Sequence, residues 1–111
     1  MSKHLTCCTS PNLELLKNLY EKSHDSEYLH RCTSCGAHWF HRWHEMIDFD
    51  GGGGDSVTEW YTQITDEESR TLLSADGRPD LRFLGLGKRR AICVDEEGAR
   101  EVLGQPEHPW T

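Results

Sequence analysis

The sequence predicts a small, mainly β protein of the α+β kind, an antiparallel sheet extended by β-hairpins with one short helix. Three observations carry this. Runs rich in aromatic, β-branched and leucine side chains recur between polar or glycine-rich breaks. Only one segment carries clear helix-start chemistry. Two cysteine-bearing segments, at 7–8 and 32–35, are candidates to meet in space, and a pair of antiparallel strands brings them together with little chain.

The 111 residues fit a single domain, 1–111. Within it, 4–64 is the expected core with a long hairpin, 65–104 a short helix and closing hairpin, and 105–111 a loose tail. Hydrophobic residues make up 35% of the chain and the mean hydropathy is -0.73, so an apolar core would be thin for its surface and a metal cross-link would help.

In chain order, residues 13–20 can be read two ways. Leu13, Leu15 and Leu19 alternate, whereas Leu13, Leu16 and Tyr20 fit a helix. The strand is preferred because it can pair with its neighbour. Residues 22–27 are polar and read as a turn into a strand at 28–31. The aromatic run 37–49 is the best strand candidate. The glycine-rich 50–55 separates it from a second strand-like run, 57–64, giving a hairpin with a flexible tip. Thr65-Asp66-Glu67-Glu68 is a capping box whose acids complement the helix dipole, so a short helix is expected over 66–73. After a loop at 74–79, Leu81, Phe83, Leu84 and Leu86 supply apolar anchors. Residues 91–94 and 99–103 flank the turn-like 95–98 as a closing hairpin.

The sharpest chemical signal is Cys32-Thr33-Ser34-Cys35-Gly36. Two intervening residues let both sulfurs converge on one ion, and the glycine permits the tight turn that such a knuckle needs. A redox pair of the same spacing should open a helix after a strand, whereas an aromatic strand follows here. Upstream lies His4-Leu5-Thr6-Cys7-Cys8, which leaves two ligand sets open. Cys7 and Cys8 would complete a four-thiolate zinc site with Cys32 and Cys35, the preferred set; alternatively His4 takes the place of Cys8. The 23 residues between Cys8 and Cys32 slightly exceed the usual separation of paired knuckles, which a longer hairpin turn absorbs. The fifth cysteine, Cys93, reads as a small buried hydrophobe.

His38, His41, His44 and Glu45 raise a hydrolytic metal site. On a strand, however, His38 and His44 share one face while His41 and Glu45 take the other, so packing of the histidines in an aromatic sheet is preferred. Clustered imidazoles would also allow a pH-sensitive surface. The glycine run at 51–54 lacks the Lys-Ser/Thr of a phosphate-binding loop. Trp39, Phe40, Trp43, Trp60 and Tyr61 lack the basic groove of a base-stacking platform and read as core and hairpin packing.

The formal charge is -7, and the only basic cluster is Lys88-Arg89-Arg90, followed closely by Asp95, Glu96 and Glu97. This balance disfavours nucleic acid and favours a basic protein partner, although acidity also serves solubility alone. No apolar run approaches the length of a membrane span, and the first residues lead into cysteines and not into an apolar secretory segment, so the cytoplasm is the expected compartment. There, cysteines are expected as metal ligands and not as disulfides.

Cys32-x-x-Cys35-Gly36 between two strands, with an upstream cysteine-bearing turn, resembles the zinc-ribbon superfamily over roughly residues 7–64. The stretch Trp39-Phe40-His41-Arg42-Trp43-His44-Glu45, with Gly51 to Asp55 and Trp60-Tyr61, is also similar to that of small bacterial proteins of this length. The resemblance implies structural Zn2+ on a small antiparallel sheet, and no single activity. The function expected is therefore a zinc-binding protein-interaction module, immunity or regulatory in role, and not an enzyme. The alternatives are a nucleic-acid-binding ribbon and a metal-dependent hydrolase or nuclease using His38, His41 and His44.

Overall fold

The structure, a computed structural model, describes residues 5–22, 24–46, 56–77 and 79–105. Six strands, β1 (Leu13–Glu21), β2 (Asp25–Cys32), β3 (His38–Met46), β4 (Ser56–Ile64), β5 (Arg90–Asp95) and β6 (Gly98–Leu103), form one sheet in chain order. Every neighbouring pair is antiparallel. The helix α1 (Asp66–Ser74) and two short 3-10 turns, Arg82–Leu84 and Leu86–Lys88, fill the connection between β4 and β5. The protein is thus mainly β with a small helical part, as the sequence predicts.

The ambiguous leucine pattern of β1 has a geometric cause. The β1–β2 register slips between Leu15 and Lys17 and again between Asn18 and Tyr20, so Leu16 and Leu19 are extra residues in the ladder. Leu19 is buried in the main core, Leu16 packs against it, and Leu15 is left exposed. Two bulges in one strand produce neither a clean period of two nor a helical one.

The expected turn at 22–27 is shorter than predicted, because β1 reaches Glu21 and β2 already begins at Asp25. Polar character misleads here. Glu27 is buried because it lies opposite Arg42 of β3 and forms an ion pair with it at 3.3 Å, with both side chains almost fully enclosed. A charge placed in the interior needs such a partner.

The sheet has two unlike faces. On one, Leu29, Phe40 and Ile64 pack with Leu19 under Leu72 of α1 and under Leu81, Leu84 and Leu86. The other carries His30, Trp39, His41, Tyr61 and Ile92, and the chain before β1 lays Leu5 against Trp39 and Ile92.

The helix begins as its sequence requires. The Glu68 N–H donates to Thr65 Oγ1 at 3.1 Å, and the Thr65 N–H donates to Glu68 Oε1 at 2.8 Å. At the other end, Lys17 Nζ donates to the carbonyls of Leu72, Leu73 and Ala75 at 3.1, 3.2 and 2.7 Å. Arg89 ties the helix to the 3-10 region through both Glu68 oxygens at 2.8 Å.

The closing hairpin has a two-residue loop, Glu96-Glu97, between the paired Asp95 and Gly98. Beyond it, Gly104 (φ 86°) passes so close to Gly87 that a Cβ would meet the Gly87 carbonyl oxygen at 2.6 Å. Gln105, the first residue of the expected tail, is buried and donates through Nε2 to Thr62 at 2.6 Å. The remainder of that tail and the glycine tip at 51–54 lie outside the described residues, although β3 and β4 pair from His38 with Ile64 to Met46 with Ser56. No helix among the described residues is long and apolar enough to cross a membrane.

Candidate metal centre

Cys32 ends β2, and residues 33–36 turn the chain into β3. The Gly36 N–H closes the turn onto the Cys32 carbonyl at 2.8 Å, and the Cys32 N–H donates to Ala37 at 2.7 Å. Gly36 takes φ 84°, the left-handed conformation anticipated for the residue after the second cysteine. The segment before β1 is fastened to this turn. The Thr33 N–H donates to the Asn12 carbonyl at 2.8 Å, and Ser34 Oγ donates to the Ser10 carbonyl at 2.7 Å.

These contacts bring Cys7 and Cys8 to the knuckle. The sulfurs of Cys7, Cys8, Cys32 and Cys35 all lie within 4.8 Å of one another. Cys8 Sγ is 3.9 Å from Cys32 Sγ and 4.0 Å from Cys7 Sγ. Four thiolates at about 2.3 Å from a tetrahedral zinc would sit about 3.8 Å apart, so the spacing suits one such ion. All four thiols are free, and their burial ranges from Cys32, fully enclosed, to Cys35, exposed. His4, the alternative ligand, lies outside the described residues.

The four thiols differ electrostatically. Backbone amides, first that of Asn12 and then those of Cys35 and Ser34, hold the Cys32 thiol down at about 6. Burial pushes Cys7 up to about 12, opposed by the nearby Trp39 indole, and burial also raises Cys8. A cation would relieve this arrangement, because its charge stabilises the thiolates that the surroundings of Cys7 and Cys8 resist. The Trp39 indole Nε1 is buried without a hydrogen-bond partner, while Cys7 packs against the cluster of Leu5, Trp39 and Ile92. An acceptor at that sulfur is what the indole lacks. The donor set and its surroundings therefore fit a zinc-class ion.

The histidines do not assemble a second centre. His38 pairs with Asp66 at 3.0 Å and His44 with Asp25 at 2.7 Å on one face. His41, on the other face, bridges His30 Nε2 at 3.0 Å and Glu59 at 2.8 Å, and stacks on Tyr61 with ring centroids 4.2 Å apart. The strand alternation read from the sequence separates them in this way. Burial, then the neighbouring His41, lowers His30 to about 4, so it is neutral near neutrality. Among the described residues, the cysteine cluster is the only group of three or more side chains placed to hold a metal.

Sequence reasoning missed His30, Trp39 and Arg42 as site or core polar groups. The period of two from Cys32 would have placed His30 on the cluster's side of the sheet. No local signal marks Arg42 as buried. No protein-family model, curated protein or solved structure matches the chain.

Proposed function

We propose that the chain is a structural zinc protein of zinc-ribbon type that acts as a protein-interaction module for a basic partner. The observation that carries the metal is the convergence of four free thiols from segments far apart in sequence. Zinc there is fully coordinated and redox-inert, and it ties the chain before β1 to the turn before β3, so its binding free energy becomes folding free energy. The set Cys7, Cys8, Cys32 and Cys35 is the ligand set of this reading.

The interaction role is supported by charge. The net charge is -7. The basic cluster is partly paired, Arg89 with Glu68 and, at the surface, Arg90 with Glu101 at 2.7 Å, which weakens it as a site for a phosphate backbone. At the other end of the closing hairpin, Glu59, Asp95 and Glu96 line a groove of about 340 Å³ with Ser56, Val57 and Val94. Such a surface steers a cationic partner. An intracellular, non-enzymatic role in the cytoplasm, immunity or regulatory, belongs to the same reading.

Metal analysis of natively purified protein tests the first half: one zinc per chain is expected, lost on replacing Cys7, Cys8, Cys32 or Cys35 singly by Ser. Affinity capture from the native host at low and moderate salt tests the second. A basic protein retained at low salt and weakened by added salt is the expected result. Recovery of no protein partner, or salt-dependent retention of nucleic acid instead, overturns it.

A further inference from the structure

We infer that Trp39 is a positioning residue of the metal centre, whose indole N–H donates to the metal-bound thiolate of Cys7 and so fixes the amino-terminal half of the site onto the sheet. This rests on the metal reading above and adds a residue and a contact to it.

The argument starts from how little holds residues 5–8. No backbone–backbone hydrogen bond among the described residues involves them. The firm attachments of the segment before β1, from Ser10 and Asn12 to the knuckle, come further along the chain. What secures 5–8 is burial of Leu5 against Trp39 and Ile92, together with the sulfurs. Trp39 is itself 2% exposed, on the same face of β3 as His41 and directly opposite His30 of β2.

An indole N–H in such a place ordinarily finds an acceptor, and leaving it bare costs free energy. Trp39 Nε1 is enclosed without a well-formed partner. Cys7 packs against the cluster of Leu5, Trp39 and Ile92 to which this ring belongs. The Trp39 side chain is within interaction reach of that sulfur. A neutral thiol is a poor acceptor, whereas a thiolate is a good one. Metal binding, which removes the Cys7 proton, therefore completes the hydrogen bond, and the bond in turn holds the ligand in place. Groups that orient metal ligands in this way typically matter by 10- to 100-fold in affinity. Phe keeps an aromatic ring at this position but is smaller and carries no N–H.

The test compares the wild type, Trp39→Phe, and Trp43→Phe, a control on the same face of β3. Zinc affinity is measured by chelator competition, and cobalt-substituted protein by its thiolate-to-metal charge-transfer band. The expected result is about a tenfold or greater loss of zinc affinity for Trp39→Phe. Its charge-transfer band should move to lower energy, because a thiolate without a hydrogen bond gives up electrons more easily. Trp43→Phe should resemble the wild type in both. Should Trp39→Phe fail to fold, cadmium-113-loaded wild-type protein supplies a second measurement: the Trp39 indole proton should show coupling to cadmium through the N–H···S bond and slow exchange. Metal-bound wild type with an unchanged Trp39→Phe affinity and spectrum, or without that coupling, overturns this inference alone. Wild type that binds no metal overturns the metal reading and this inference together.

Discussion

The two faces of the sheet are closed by different means. On the α1 face, Phe40, Leu29 and Ile64 are sealed by leucines of the helix and the 3-10 turns, and the closure is a matter of apolar area. On the opposite face, the segment before β1 contributes one leucine and two cysteines, and the four thiols gather beside a smaller apolar cluster built on Trp39 and Ile92. The first face contains no cluster of metal-ligating side chains among the described residues, whereas the other gathers four thiols beside a buried indole N–H that has no partner. In the proposed reading, a chain with a thin apolar core closes one side with leucines and the other with coordination chemistry.

The largest expected effect lies on the metal face. Removing zinc with a strong chelator, or replacing Cys32 by Ser, should release residues 5–12 and lower stability by more than any single core deletion, read as the thermal midpoint and as amide exchange in β1 and β2. If chelation leaves both unchanged, the contrast between the faces disappears. Next is Phe40→Ala, expected to cost about 3–5 kcal/mol in urea unfolding, by a similar amount whether the ion is zinc or cadmium, because that face is sealed by area. Third is the capping box. Thr65→Ala removes the hydrogen bond to the Glu68 N–H and should cost about 1 kcal/mol without altering metal affinity.

The last prediction concerns pH. Cys7, pushed up to about 12, and Cys8, also raised, must each lose a proton to bind the ion, whereas Cys32, held at about 6, is already largely ionised at neutrality. Zinc affinity should therefore rise with pH around neutrality, by at least about a hundredfold per unit because Cys7 and Cys8 each release a proton, and fall with acid, as competition titrations at pH 6.5 and 7.5 would show. In the metal-free protein the same shifts pull apart. The Cys32 thiolate adds stability above its ordinary value of 9.0 that is lost as pH falls through about 6. The neutral Cys7 thiol adds stability below 9.0 that is lost as pH rises through about 12.

Much of this was legible in the residues. The aromatic run, the capping box, the turn at 95–98 and the Cys-x-x-Cys-Gly knuckle each carry a local physical signal, and each occupies the kind of structure that signal implies. The separation of His38 and His44 from His41 followed from alternation alone. What stayed hidden depends on partners distant in sequence. The two slips in β1 arise from its pairing with β2 and from the core it must reach. The burial of Glu27 and Arg42 is visible only when the two are opposite each other, and the early start of β2 follows from that. Likewise, nothing near Trp39 in the sequence indicates that it would share a cluster with Leu5 and Cys7, because that packing joins the chain before β1 to the middle of the sheet.

The grip of Lys17 on α1 bears on the order in which the molecule assembles. The last turn of the helix has no basic residue of its own, and the cation that answers its carbonyls comes from the first strand. Its first turn can be capped by neighbours as soon as it leaves the ribosome, whereas its final turn waits for an edge strand made long before it. A helix begun locally and finished remotely should ripen late, and the seal over Phe40 should ripen with it.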